Sequence, residues 1–299
     1  MLLRAVHTFQ DHSGPIYGLC PGRSADTVFT ASGDRFVVEW NIRTLQQERF
    51  AVKLEHPAYK VLFISEFNLL IIGNSIGGLH VIDTTTKAEL RYFTTHTNGI
   101  YDIQFNALER QVYVAGGDGF FSVWSMPDLE LVRHIPICAE KLRQIRFSAQ
   151  NNRVAMACGD GTVRIFDPVF FNEYHTIQAH KEGATAVAWH PTKPVLLSSG
   201  KDAMLRAFST EENDKELIAL PAHEFAIYAI AFSPDNQHFA TASRDKSIKI
   251  WDATSLEVIQ RLDHKIGGHN YSVNDLIWTE NKLISVGDDR KLIVWEKTI

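Results

Sequence analysis

The chain has 299 residues, 45% hydrophobic and 22% charged, with 30 basic against 35 acidic side chains and a net charge of −5. That apolar share is too high for a disordered chain and ample for a large core. The negative balance argues against a nucleic-acid binder working through a broadly basic surface, so no nucleic-acid partner is expected.

In chain order, the start MLLRAVHTFQDHSG carries Arg4 and His7 and no long apolar run, so no signal peptide is expected. Nowhere do about 18 apolar residues follow one another, so no membrane insertion is expected. Residues 2–9 read as a strand-like stretch. Short apolar runs ending in an aromatic residue or Ile then recur: FVVEW to Trp40, LHVI to Ile82, FFSVW to Trp124, TVRIF to Phe166, MLRAF to Phe208, SIKIW to Trp251 and KLIVW to Trp295. The steps are 42, 42, 42, 42, 43 and 44 residues, so seven periods fill residues 1–299 and a single domain is expected.

Each period shares an internal order. Six residues before the anchor stands Asp34, Asp118, Asp160, Asp202, Asp245 or Asp289, with Ile76 in that place only in the second repeat. About 28 residues before it stands His12, His96, His180 or His223; His56 and His269 sit 26 before, and Cys138 takes the place in the fourth. Runs such as IYGLC, IYDIQF and IYAIAF follow, separated by Gly- and Asp-rich turns, which is hairpin grammar with no sustained 3.6-residue period. Four strands in each of seven periods predict an all-β, seven-bladed β-propeller of four-stranded antiparallel blades. The last repeat stops short of a fourth strand, so the N-terminal strand is expected to complete that blade and close the ring, burying an otherwise open edge.

The pattern resembles the WD-repeat family over the full chain. The Gly-His-like dipeptide reads Asp11-His12, Glu55-His56, Thr95-His96, Ala179-His180, Ala222-His223 and Gly268-His269, and the terminal Trp-Asp is intact only at Trp251-Asp252. The resemblance implies a non-enzymatic scaffold or adaptor that binds partner proteins or peptides. The alternative is a propeller with a small-molecule or enzymatic site at the central channel. Asp102 and Asp275 on inner strands are too sparse to favour it.

The first repeat offers His12, Ser32, Asp34 and Trp40, the sixth His223, Ser243, Asp245 and Trp251. One such set could serve a hydrolase, but a catalytic centre is built once and this set recurs. The repetition points instead to a buried hydrogen-bond chain, known in the family as a structural tetrad. Its other members here are His96, Asp118, Trp124, Asp160, His180, Asp202, His269, Asp289 and Trp295. The second repeat, lacking the Asp, and the fourth, lacking the His, are then expected to be the softest blades. Neither the remaining histidines nor the three cysteines, Cys20, Cys138 and Cys158, have metal-ligand spacing. Gly116-Gly117-Asp118-Gly119 reads as a turn. No metal, cofactor or organising disulfide is expected, and a cytoplasmic location is.

One position stands out from the scaffold. Near the start of each inner strand lie Tyr17, Tyr59, Tyr101, Arg143, Thr185, Tyr228 and Asn274, at the expected mouth of the channel on the face with the His-bearing loops. Tyr and Arg carry binding energy at interfaces; equally, the rings could be wedged between blades, since the position shares strand parity with Ile230 and Phe232. Lys141, Lys201 and Arg244 occupy neighbouring slots, which suggests a mouth aromatic on one side and basic on the other. It would suit a peptide with an apolar or aromatic anchor beside acidic residues. In the connection DPVFFNEY, Phe170 and Phe171 either pack under a blade or form a sticky patch.

Overall fold

The computed structural model describes residues 2–148, 150, 152–212, 214–280 and 282–298. They form 28 strands in seven four-stranded antiparallel sheets, the blades of a seven-bladed β-propeller. Blade 1 shows the plan: inner strand Ile16–Pro21, then Thr27–Ser32, Phe36–Asn41 and outer strand Gln46–Lys53. The ring is closed as the sequence predicts, by Leu3–Phe9 pairing antiparallel with Leu292–Lys297, from Leu3 opposite Lys297 to Phe9 opposite Leu292. Gln260 clasps this strand, accepting from Leu3 N at 2.7 Å and donating to Leu3 O at 2.9 Å.

The chain falls into two compact units: Met1–Ile72 with Ile82–Ala88 and Tyr228–Ile299, and Gly73–Val81 with Glu89–Ile227. In the first, apolar side chains of successive blades interleave, as where Leu19, Val28 and Trp40 meet Ile284, Val286 and Val294. In the second, Tyr113, Phe121 and Val123 meet Ile145, Val154 and Met156. Second strands are buried along their whole length in blades 1 and 2 and at all but the first residue in the others, whereas an outer strand such as Ala88–Phe93 is almost entirely exposed.

Two irregularities recur. The inner strand of blades 1, 3, 4, 5 and 7 shifts register against its neighbour at one residue: Tyr17, Tyr101, Arg143, Thr185 and Asn274 respectively. A second shift occurs at or beside the anchor residue in blades 1, 3, 4, 5, 6 and 7, where the outer strand begins to pair. Such bulges twist a strand and re-aim one side chain. The turn between second and third strands places Arg35, Gly77, Gly119, Gly161, Ala203, Lys246 and Arg290 at positive φ. At Gly119 the space enforces the residue type as well, since a Cβ would lie 2.0 Å from Cys138 O.

Candidate functional site

The repeated Asp closes that turn. Asp34, Asp118, Asp160, Asp202 and Asp245 each accept a hydrogen bond from the backbone N–H two residues on, at 2.9–3.2 Å. In blade 1, Asp34 Oδ2 also bonds His12 Nδ1 at 2.8 Å and Ser13 N at 2.9 Å. Burial pushes this carboxyl upward, but the His12 and backbone hydrogen bonds outweigh it and hold its pKa at about 2. The carboxylate is therefore ionised, and His12 Nδ1 must carry the proton it donates. His12 Nε2 then accepts from Thr30 Oγ1 at 2.8 Å, and Thr30 accepts from Trp40 Nε1 at 2.8 Å. With His12 assigned as the tautomer that donates from Nδ1 alone, the protons run in order from indole to carboxylate.

Blade 7 repeats the relay with Trp295, Ser285, His269 and Asp289. In blade 3 the hydroxyl comes from the third strand instead: Ser122 bonds both His96 Nε2 at 2.9 Å and Trp124 Nε1 at 3.0 Å. Blade 5 joins Asp202, His180 and Ser198, and Phe208 ends the chain there because it has no N–H. Burial keeps the pKa of His96 and of His180 below the ordinary value despite their aspartate partners.

The hydroxyl that meets the indole differs from the sequence assignment at two positions. Ser32 is not in the relay; it donates to Pro15 O at 3.0 Å and accepts from Asp34 N at 3.2 Å. Ser243 likewise accepts from Asp245 N, while Trp251 Nε1 donates to Thr241 Oγ1 at 2.9 Å. Residues 30 and 32 share a strand face, but Ser32 lies at the strand end beneath the turn and only Thr30 is deep enough to meet the indole. The missed residues Thr30, Ser198, Thr241 and Ser285 all stand ten before their anchors, a spacing visible in the sequence. Asp160 is also outside any relay: with Cys138 in the histidine's place, it bonds Thr162 Oγ1 at 2.7 Å and lies 3.5 Å from Arg164.

In the second repeat, Asn74 takes over the turn, accepting from Gly78 N at 2.8 Å and Ile76 N at 3.1 Å. Its amide reaches His80 Nε2 at 3.1 Å, and His80 Nδ1 meets Glu89 at 2.6 Å. This is a different polar chain in place of the absent one.

These arrangements do not make a nucleophile. Thr30, Ser32 and Ser285 are fully buried, and the Thr30 proton is committed to His12. The two inner-strand carboxylates are engaged too. Asp275 pairs with Lys60 at 2.7 Å, and Asp102 pairs with Arg146 at 2.7 Å while accepting from Ile145 N.

In the first unit, Tyr17 at its inner-strand bulge and Tyr59 on the next inner strand are half-buried and meet edge to face, 5.1 Å between centroids. The Tyr17 ring lies over Gly33, where a Cβ would come within 3.2 Å of it. Burial, Tyr59 and Asp288 raise its hydroxyl pKa. Asn274 bonds Ile16 O at 2.9 Å and Asp288 Oδ1 at 2.8 Å. Tyr228 is half-buried and Arg244 exposed.

In the second unit, Tyr101 lies across Gly117, and the Arg143 guanidinium and Lys141 ammonium sit 4.5 and 5.4 Å from its ring centroid. The aromatic and basic slots thus meet in one stack here. Thr185 is buried and bonded to Ser199 O and Ile227 O, and Lys201 is exposed. The bulge takes these residues out of the strand's alternation, so parity with the apolar core no longer dictates where they point.

A cleft of 470 Å³ in the first unit is lined by Gln10, His12, Tyr271, Asp288, Asp289 and Arg290. Its His12, Asp288 and Asp289 are held by partners already described. The two phenylalanines of DPVFFNEY divide: Phe171 packs against Tyr113 and Phe121, whereas Phe170 is 73% exposed.

The fold and the relay define a class, the WD-repeat β-propeller. The family profile described as "WD domain, G-beta repeat" matches residues 3–41, 87–125, 131–167, 171–209 and 214–252, and the chain belongs to this family. Among similar proteins is the serine-threonine kinase receptor-associated protein of Gallus gallus, 21% identical over 250 residues, which cover 83% of this chain and 70% of that one. Actin-interacting protein 1 of Drosophila melanogaster is 26% identical over 72% of this chain and 36% of its own length. The U3 small nucleolar RNA-associated protein 15 homolog of Gallus gallus is 22% identical over 71% and 41%. The chain therefore spans well under half the length of the latter two relatives.

Proposed function

We propose that the protein is a non-enzymatic scaffold that holds partner polypeptides on the face carrying the His-bearing loops. The observation that carries this reading is the recurrent bulge, which leaves Tyr17, Tyr101, Arg143 and Asn274 half-exposed near the start of their inner strands, with Tyr59 against Tyr17. The Tyr17–Tyr59 pair suits an apolar or aromatic side chain, because two rings at right angles offer both a face and an edge. The Lys141–Arg143 pair suits a carboxylate. The relatives named for a kinase receptor and for actin support a role in protein interaction. A cytoplasmic setting belongs to the same proposal and is checked by fractionation of the native host.

The test is selection of displayed peptides on the full chain. Wild type is expected to enrich sequences combining aromatic and acidic residues. Tyr17→Ala with Tyr59→Ala should remove the aromatic preference, and Lys141→Glu with Arg143→Glu the acidic one. Equal enrichment by all three proteins refutes the assignment.

A further inference from the structure

Blade 4 departs from its siblings at two positions that face each other in blades 3, 5 and 7. In blades 3, 5 and 7 the loop histidine rests on a glycine at the end of the second strand. A Cβ would lie 2.2 Å from His96 Nδ1 at Gly116, 2.5 Å from His180 Nδ1 at Gly200 and 3.0 Å from His269 Nδ1 at Gly287. In these three blades the ring takes the space a side chain there would fill, whereas blade 1 keeps His12 with Ser32 in that slot. Blade 4 has Cys138 in the histidine's place and Cys158 in the glycine's, so one large and one missing side chain become two small thiols.

The surroundings make the two sulfurs unequal. Cys158 is fully buried among Tyr113, Phe121 and Leu142, and Cys138 packs against that cluster from the partly exposed side. Cys138 Sγ lies 3.0 Å from Glu140 O. The neighbouring Cys158 thiol lowers the pKa of Cys138, while Cys138 and burial raise that of Cys158. Reactive cysteines are accessible and thiolate-prone, and resolving ones sit beside them.

We propose that Cys138 and Cys158 form a reversible thiol–disulfide modification site, oxidised by peroxide within the folded blade. The Cys138 thiolate attacks a peroxide oxygen and the O–O bond breaks. Hydroxide leaves and takes up the proton the thiol gave up, leaving a sulfenic acid and one water. The Cys158 sulfur then attacks the Cys138 sulfur and the S–O bond breaks. Hydroxide departs with the Cys158 proton as a second water. Two thiols and one hydrogen peroxide thus give one disulfide and two waters. The bond ties the loop that carries Lys141 to the second strand of its own blade. Cys20, buried with its pKa pushed up to about 12, is a bystander.

The experiment uses the reduced full chain without any partner, so its outcome is independent of the binding role proposed above. After hydrogen peroxide treatment, unfolding and alkylation, the alkylatable thiols should fall from three to one, with Cys20 the one remaining. Peptide mass spectrometry should show the linked 138–158 pair lighter by two hydrogens, and dithiothreitol should restore all three thiols. In Cys158→Ala, dimedone should trap Cys138 as the sulfenic acid with no disulfide. Three thiols surviving in wild type overturn the proposal, as does a bond through Cys20 or between chains.

Discussion

Replacing Thr30 by Val removes a hydroxyl, keeps the volume and leaves two buried groups stranded. Trp40 Nε1–H loses its acceptor and His12 Nε2 its donor, both at positions no more than 5% exposed. Each stranded group costs about 1–3 kcal/mol, and with no cavity created the sum is about 3 kcal/mol. At about 2 cal/mol/K of unfolding entropy per residue, that lowers the melting temperature by roughly 5 °C. Ser32→Ala breaks one bond to Pro15 O and one from Asp34 N at the turn, and about 1 kcal/mol, roughly 2 °C, is expected. Melting by circular dichroism gives the totals, and NMR exchange of the Trp40 indole proton, identified through Trp40→Phe, gives the local effect. Thr30→Ser should keep the indole protected. If Thr30→Val melts no lower than Ser32→Ala and its indole exchanges no faster than in wild type, the indole-to-carboxylate proton order is wrong.

Acid should weaken the fold in two stages. His96 and His180 have folded pKa values below the unfolded value of about 6.5, so their contribution is full above that pH and is lost as pH falls through the folded values. Asp34, with Asp118 and Asp289, adds a second loss from about pH 4 down towards the Asp34 value of about 2; a melting temperature that rises between pH 7.5 and 5.5 contradicts the assignment. Asn74→Ala leaves two turn N–H groups without their acceptor and should cost about 1–3 kcal/mol, read as faster hydrogen exchange confined to residues near 74–80. Phe171→Ala should cost about 3–4 kcal/mol by emptying its place against Tyr113 and Phe121, while Phe170→Ser should leave the melting point unchanged.

Architecture was legible because each blade must spend about the same number of residues on four strands and three turns, so the period survives where individual anchors do not. Ile82 and Phe166 hold their places as buried apolar groups without any indole. The turn aspartates were legible for a similar reason: their bond to the N–H two residues on is local. The relay hydroxyl was not, because its partners are set by depth within the blade, which sequence distance from the turn does not measure. Ser32 is nearer Asp34 in the chain, yet Thr30 is nearer Trp40 Nε1 in space. Blade 3 shows the limit most clearly. Val114 fills the slot of Thr30, and Ser122 supplies the oxygen from across the hairpin, opposite Val114 in register. The tyrosine slot could be aligned from sequence, but its bulge could not, since an extra residue in one strand leaves the hydrophobic alternation on either side intact.

The clasp of Leu3–Phe9 onto Leu292–Lys297 bears on how the molecule is born. The ribosome releases the first of these strands long before its partner exists, and at 5–20 residues per second the wait is on the order of tens of seconds. During that interval the nascent segment offers bare amides and carbonyls to any neighbour, while the blades between can already be assembling. Successful synthesis thus depends on keeping one short ribbon unclaimed until the tail emerges to receive it.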